Sequence, residues 1–244
     1  MKNKIGWCNL TFNPVWGCRN TGCPYCYART FAKRFGGIRF IEEWKYRTEH
    51  NIDSVHFKQK HSLDLIEFKL TFLHSQFDKK FPQKTQKIFV GSMSEIYYWE
   101  DEWLEKVLEK VKLYPQHIFQ FLTRYPEVYD RYIFPKNCWL GVTITREKDF
   151  ERGIPYLFIT SCNITFVSVE PMLEYINPGP FLNANIDWVI LGAETGKRKG
   201  KIIPKKEWIE NIVNYCKWNN IPVYLKDSLK DIYPEKIKMF PKIN

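Results

Sequence analysis

KIFVG at residues 87–91, DEWLEKVLEKVKLY at 101–114 and IFQFL at 118–122 decide the fold. The first and third are short β-branched or aromatic runs, the composition of strands covered on both faces. The middle segment sets Trp103, Leu104, Val107, Leu108 and Val111 at helical spacing. Acidic residues open it and lysines close it, as the helix dipole prefers. Strand, helix and strand in this order make a parallel βαβ unit.

The alternation continues outward. WLGVT (139–143), TFVSV (165–169), WVILG (188–192) and PVYL (222–225) are further strand candidates. Residues 126–132, 147–159 and 205–218 carry helical patterns, the last announced by Pro204. The expected fold class is α/β, a partial (β/α) TIM-type barrel whose chemistry sits at the C-terminal ends of its strands. A single domain over residues 1–244 is expected, with an insertion at 37–86, where the pattern is mixed and charge-rich. No internal repeat or low-complexity linker interrupts it.

The chain has 244 residues, ample for one large core, and no apolar run nears the ~18–20 residues that cross a membrane. The start MKNKIGWCN lacks the apolar stretch of a signal peptide, so a cytoplasmic protein is expected. Seven cysteines in a reducing compartment read as thiols or metal ligands. A net charge of +10 favours an anionic partner such as nucleic acid, although heavy use of Lys, Asn and Ile gives the same excess without one.

NPVWGCRNTGCPYCYAR (13–29) holds Cys18, Cys23 and Cys26 on one short loop, with a helix expected over 27–35. Three thiolates can hold three irons of a [4Fe–4S] cluster and leave the fourth open to a small molecule, the arrangement of a radical S-adenosylmethionine (SAM) enzyme. That motif is usually C-x3-C-x2-C with an aromatic before the last cysteine. Tyr25 fills the aromatic place, and Thr21 or Gly22 is one residue extra. The C-x4-C-x2-C spacing also fits a plant-type [2Fe–2S] ferredoxin, and a structural zinc site completed by Cys8 or a histidine is the third reading. Cys138 and Cys162 precede strands and Cys216 lies in a helix, so only Cys8 is placed to reach the loop.

The loop resembles that of the spore photoproduct lyase-like branch of radical SAM proteins. FVGSMSEIY, FQFLTRYPE, WLGVTI, FVSVEPML, IDWVILGAETG and IPVYLKD follow in the order that resembles the phage protein Gp37/Gp68 family of three-cysteine-motif proteins. The resemblance spans nearly the whole chain apart from roughly 37–67. It implies a barrel of the radical SAM kind, a [4Fe–4S] cluster on Cys18, Cys23 and Cys26, and SAM cleaved to a 5′-deoxyadenosyl radical. It further implies an electron donor such as a flavodoxin or ferredoxin and, by likeness to a DNA-repair lyase, a nucleic-acid or nucleotide substrate.

Polar groups stand at nearly every strand end. Ser92, Ser94, Glu95, Thr123, Arg124, Thr143, Ser168 and Glu194, with Tyr25 of the loop, are the expected cofactor contacts. Glu170, tied to Pro171, and Lys226 are the expected catalytic groups. Any one of these alone is what a helix cap carries; the repetition on one rim argues for a shared site. Gly192-Ala193-Glu194 is similar to the G-G-E segment that binds the SAM amine, but lies on a late strand. Lys197, Arg198, Lys199, Lys201, Lys205 and Lys206 form a basic rim suited to phosphates. Tyr97, Tyr98, Trp99 and Trp103 offer stacking surfaces, Trp103 being better explained as core. The five histidines show no metal-site pairing. A zinc-stapled nucleic-acid-binding protein without catalysis, or a subunit needing a partner protein, are the alternatives.

Overall fold

All six expected strands form, and a seventh, shorter one extends their sheet. The computed structural model describes residues 5–20, 22–61, 63–157 and 164–242. In chain order the elements are β1 (Leu10–Phe12), β2 (Val15–Trp16), α1 (Tyr27–Glu49), α2 (Ser54–His61), β3 (Thr71–Phe72), α3 (His74–Phe77), β4 (Lys87–Val90) and α4 (Asp101–Lys112). Then come β5 (Ile118–Thr123), β6 (Cys138–Thr143), α5 (Asp149–Leu157), β7 (Ile164–Val169), α6 (Gly179–Asn183), β8 (Trp188–Leu191), α7 (Lys206–Trp218) and β9 (Val223–Leu225).

Seven strands make one parallel sheet in the order β1-β4-β5-β6-β7-β8-β9. Each strand is added on the same side of its predecessor, so the crossovers all run one way and the sheet curls into a half-barrel. Strand alternation then sorts the side chains. Val90, Phe121, Leu140, Val167 and Leu191 share one buried cluster with Leu104, Val107, Leu108 and Val111 of α4 and with Ile209, Ile212 and Val213 of α7. Each such side chain is worth about 1.5–3 kcal/mol when fully buried. Trp7, Phe89, Trp139, Phe166, Trp188 and Tyr224 form a second cluster on the inner face. The interior is therefore packed at its base and leaves its polar rim for chemistry.

Several boundaries differ from expectation. The helix after the cysteines continues past Phe35 to Glu49, because Gly36 and Gly37 do not end it. Residues 37–86 hold the rest of α1, then α2, β3 and α3, with β3 pairing antiparallel to β2. Residues 126–132 give only a 3-10 turn, Pro126–Asp130. α5 starts at Asp149, and Cys162 and the expected end of that helix lie outside the described residues. Strand β1 was not expected. It pairs with β4 after Asn9, whose Oδ1 takes the Lys87 N–H at 2.8 Å. Among the described residues no helix is long and apolar enough to cross a membrane.

Candidate active site

The run Asn13–Gly17 fastens the cysteine loop to the sheet. Asn13 Oδ1 accepts from Ser92 Oγ at 3.0 Å and from the Met93 N–H at 3.2 Å, on the rim just past β4. Trp16 Nε1 donates to the Leu65 carbonyl at 2.8 Å. Gly17 has φ +98°, and a Cβ there would stand 2.0 Å from the Lys69 carbonyl oxygen. Only glycine allows this approach, which lets Gly17 N–H reach Met93 O at 3.1 Å and Cys18 N–H reach Phe68 O at 3.0 Å.

Two sulfurs of the loop receive backbone donors. Asn20 N–H donates to Cys18 Sγ at 3.3 Å. Cys26 caps α1, its Sγ accepting the Arg29 N–H at 3.4 Å. Burial pushes the Cys18 thiol up to about 11, and the charges of Glu95, Cys26 and Cys23 add to that against the Asn20 N–H. Burial also raises Cys23, opposed by Arg124. The three thiols are thus close enough to feel one another. As they stand, no three His, Cys, Asp or Glu side chains among the described residues converge to hold a metal ion. Three cysteines on one loop, two of their sulfurs receiving N–H donors, are a donor set that a cluster anchored at three corners would take.

Facing the loop is a polar network on β5 and β6. Arg124 Nη1 donates to the Tyr25 hydroxyl at 2.8 Å, and Nη2 donates to Thr145 Oγ1 at 3.3 Å. Asp149 anchors the network, its Oδ2 accepting from Thr145 N–H at 2.7 Å, Thr145 Oγ1 at 2.9 Å and Arg146 N–H at 3.0 Å. Glu95 is part-buried, its desolvated carboxyl raised in pKa, and it accepts from the Thr123 hydroxyl, the Arg124 N–H at 3.0 Å and the Tyr97 N–H at 3.4 Å. Its oxygens are committed to joining the β4 and β5 rims. Ser94 Oγ accepts from Trp99 Nε1 at 3.0 Å.

Across the mouth, Lys226 donates to Glu170 in a pair three-quarters or more buried. Ser168 points into the barrel beside Thr143 and Ile190 in the register, fully buried, its Oγ without a partner among the described residues. Glu194 is gripped at both oxygens by Arg198, at 2.7 and 2.8 Å, which holds its carboxyl below the usual range.

The structure therefore gathers Tyr25, Arg124, Thr123 and Glu95 on one side and Glu170 with Lys226 on the other. Glu194 turns instead to the basic loop. Trp99 is buried and unavailable for stacking, and Tyr97 stacks on Tyr125 at 4.9 Å. Tyr27 is the residue that sequence reasoning missed. The residue is half exposed as a whole, yet its hydroxyl end is enclosed against the rim, where it donates to Ser92 O at 2.6 Å, and loss of solvent at that oxygen, then Glu170 and Cys26, raise its pKa. Its place after the last cysteine was the available signal.

Cys8 is buried in the inner-face cluster with Trp7 and Phe89, whereas Cys18 and Cys26 pack against the cluster of Trp16, Phe68 and Met93. A large cleft of about 850 Å³ lies not at the mouth but behind the loop, between α1, α2 and α4, and touches Cys18. Its charges mostly neutralise one another, as in Arg19–Glu100, Lys69–Glu67 and Lys106–Glu102. The mouth, with its convergent polar groups, is the better candidate.

Residues 2–233 match the family model whose description is "Protein of unknown function (DUF5131)". No curated protein and no solved structure matches the chain.

Proposed function

We propose that this chain, which belongs to the DUF5131 family, is a radical SAM-type iron–sulfur enzyme of the phage protein Gp37/Gp68 kind that acts on a nucleic acid or nucleotide. One observation carries the reading. The loop of Cys18, Cys23 and Cys26 is bolted to the C-terminal rim of an open parallel barrel, with N–H donors aimed at two of its sulfurs. When bound, a [4Fe–4S] cluster on these cysteines supplies the electron that cleaves SAM to a 5′-deoxyadenosyl radical.

The chain's own residues position and shield. Arg124, aligned by Tyr25 and Thr145, offers a guanidinium to a carboxylate such as that of SAM. Lys226 Nζ donates to Glu170 at the opposite rim, so the pair offers a donor and an acceptor side by side to a substrate oxygen or nitrogen. Ser168 offers a buried hydroxyl deeper in the mouth. The exposed Lys197, Lys199 and Lys201 support the nucleic-acid half of the reading. A cytoplasmic setting and a small redox-protein electron donor, such as a flavodoxin or ferredoxin, belong to the same proposal.

Anaerobic reconstitution followed by iron and sulfide analysis and EPR of the reduced protein tests it. A reduced-cluster signal that changes on adding SAM is expected. A colourless protein carrying one zinc would overturn the enzyme and favour the zinc-stapled nucleic-acid-binding alternative.

A further inference from the structure

Over its first half α1 is inverted for a surface helix. There its inward face carries Ala28, Ala32 and Gly36, while Phe40, Glu43 and Trp44 face inward farther on. A Cβ on Gly36 would lie 2.5 Å from the Leu65 carbonyl oxygen, so the 65–66 backbone presses on this face and keeps it inward. Four other large side chains point out: Tyr27 is 54 % exposed, Phe31 42 %, Ile38 58 % and Ile41 49 %. Surface helices ordinarily do the reverse, and a contiguous exposed apolar strip marks a binding surface.

The strip starts at the barrel mouth, where Tyr27 meets Ser92. Its first turns are aromatic and cationic. The Phe31 and Phe35 rings lie 4.4 Å apart, and Arg34 sits 5.1 Å over Phe35. Lys33 and Arg34 are exposed beside these rings, whereas Arg29 turns to Phe68 and the Asn20 carbonyl and Arg39 pairs with Glu42. Rings beside cations take bases by stacking and phosphates by charge. The rim past β8 carries the exposed Lys197, Lys199 and Lys201 on a loop held by Arg198 and Glu194. A second copy is a poorer occupant. The strip runs about 21 Å at 1.5 Å per residue, and at a helix width of about 10 Å two copies would bury roughly 400 Å², well under the ~1,200 Å² of a stable interface.

We infer that the outer face of α1 is a stacking platform for a single-stranded nucleic acid, which it leads to the barrel mouth while Lys197, Lys199 and Lys201 hold its phosphates. This rests on the nucleic-acid half of the function proposed above and not on the cluster.

The test is fluorescence anisotropy with a labelled oligothymidylate of a dozen nucleotides and a duplex of equal length, across a salt series, using the full chain. The single strand should bind more tightly than the duplex. Phe31→Leu, which keeps an apolar side chain but removes the ring, should weaken single-strand binding about fivefold or more with an unchanged salt slope. Replacing Lys197, Lys199 and Lys201 together by Ala should flatten that slope. Thermal melts confirm that each variant is folded. Equal affinity for both nucleic acids, or wild-type binding by Phe31→Leu, overturns the platform while leaving a nucleic-acid substrate standing. No binding by the wild type overturns both, and a dimer in sedimentation that Ile38→Ser dissociates would assign the strip to a protein contact. Iron content and EPR of the same preparation report separately on the cluster.

Discussion

Replacing Gly17 by Ala should strike the cysteine loop harder than its size suggests. Two costs add. A non-glycine residue at φ +98° costs roughly 1–2 kcal/mol. The new Cβ would also stand 2.0 Å from Lys69 O, 2.3 Å from Lys69 C and 2.7 Å from Leu70 N, all backbone atoms that cannot rotate away. The strands of chain must part, which sacrifices Gly17 N–H to Met93 O and Cys18 N–H to Phe68 O. At about 1 kcal/mol net for each bond, the total comes to about 3–4 kcal/mol, a large share of the ~5–15 kcal/mol that holds a domain together. Gly196→Ala is the control, because Gly196 has φ +87° with nothing within 4 Å of its Cβ position, so it bears the backbone strain alone. Urea unfolding midpoints of the two variants, with iron content after reconstitution, read the difference. Gly17→Ala should be the less stable by about 2 kcal/mol and should hold less iron. Equal midpoints would refute the close-approach reasoning.

Cys23→Ala should lose its iron on reconstitution while Cys8→Ala keeps it, because Cys8 packs among the inner-face aromatics; iron and sulfide analysis decides. Glu43→Ala should destabilise by roughly 3–5 kcal/mol in urea unfolding, since the buried carboxylate accepts from His74 N–H and Ser75 N–H at 2.9 Å each and from Arg47 Nε at 2.8 Å. Arg198→Ala should lower stability at neutral pH, because it leaves the buried Glu194 carboxylate without its partner. Arg198 depresses the Glu194 pKa, so the stability is complete above the ordinary glutamate value of about 4.3 and disappears as pH falls through the depressed one. Melting temperatures of variant and wild type should therefore converge in acid.

Strands β4 to β9 were legible because each is an apolar run whose neighbours in sequence are its neighbours in the sheet. Strand β1 was not. Leu-Thr-Phe is too short to show a period, and Leu10 is more than a third exposed, so its pairing comes from Asn9 and the register with β4. α1 was read too short because a Gly-Gly pair usually ends a helix, whereas here Gly36 serves the approach of the 65–66 backbone, a long-range contact no local pattern shows. At the site, residue types were readable but not their partners. Arg198 reaching back to Glu194, or Glu95 spending its oxygens on β5, depends on where loops return in space. The exposed strip of α1 was in principle visible, since Tyr27, Phe31, Ile38 and Ile41 fall on one side, but nothing local says that the side with Phe40 and Trp44 is the one that faces in.

The sheet does not close. β1 and β9 stand at opposite ends of the strand order, β1 only three residues long and β9 bordered by the bonds Leu225 N–H to Ile237 O at 2.9 Å and Met239 N–H to Val223 O at 3.0 Å. Side chains, not ladder bonds, span the opening: Trp7 lies between Phe89 and Trp188, and Lys87 sits 4.3 Å over the Phe240 ring, which packs on Trp188 and Tyr224. The curl of the sheet is therefore set by ring packing at its base, where no strand pairing compensates for a lost ring.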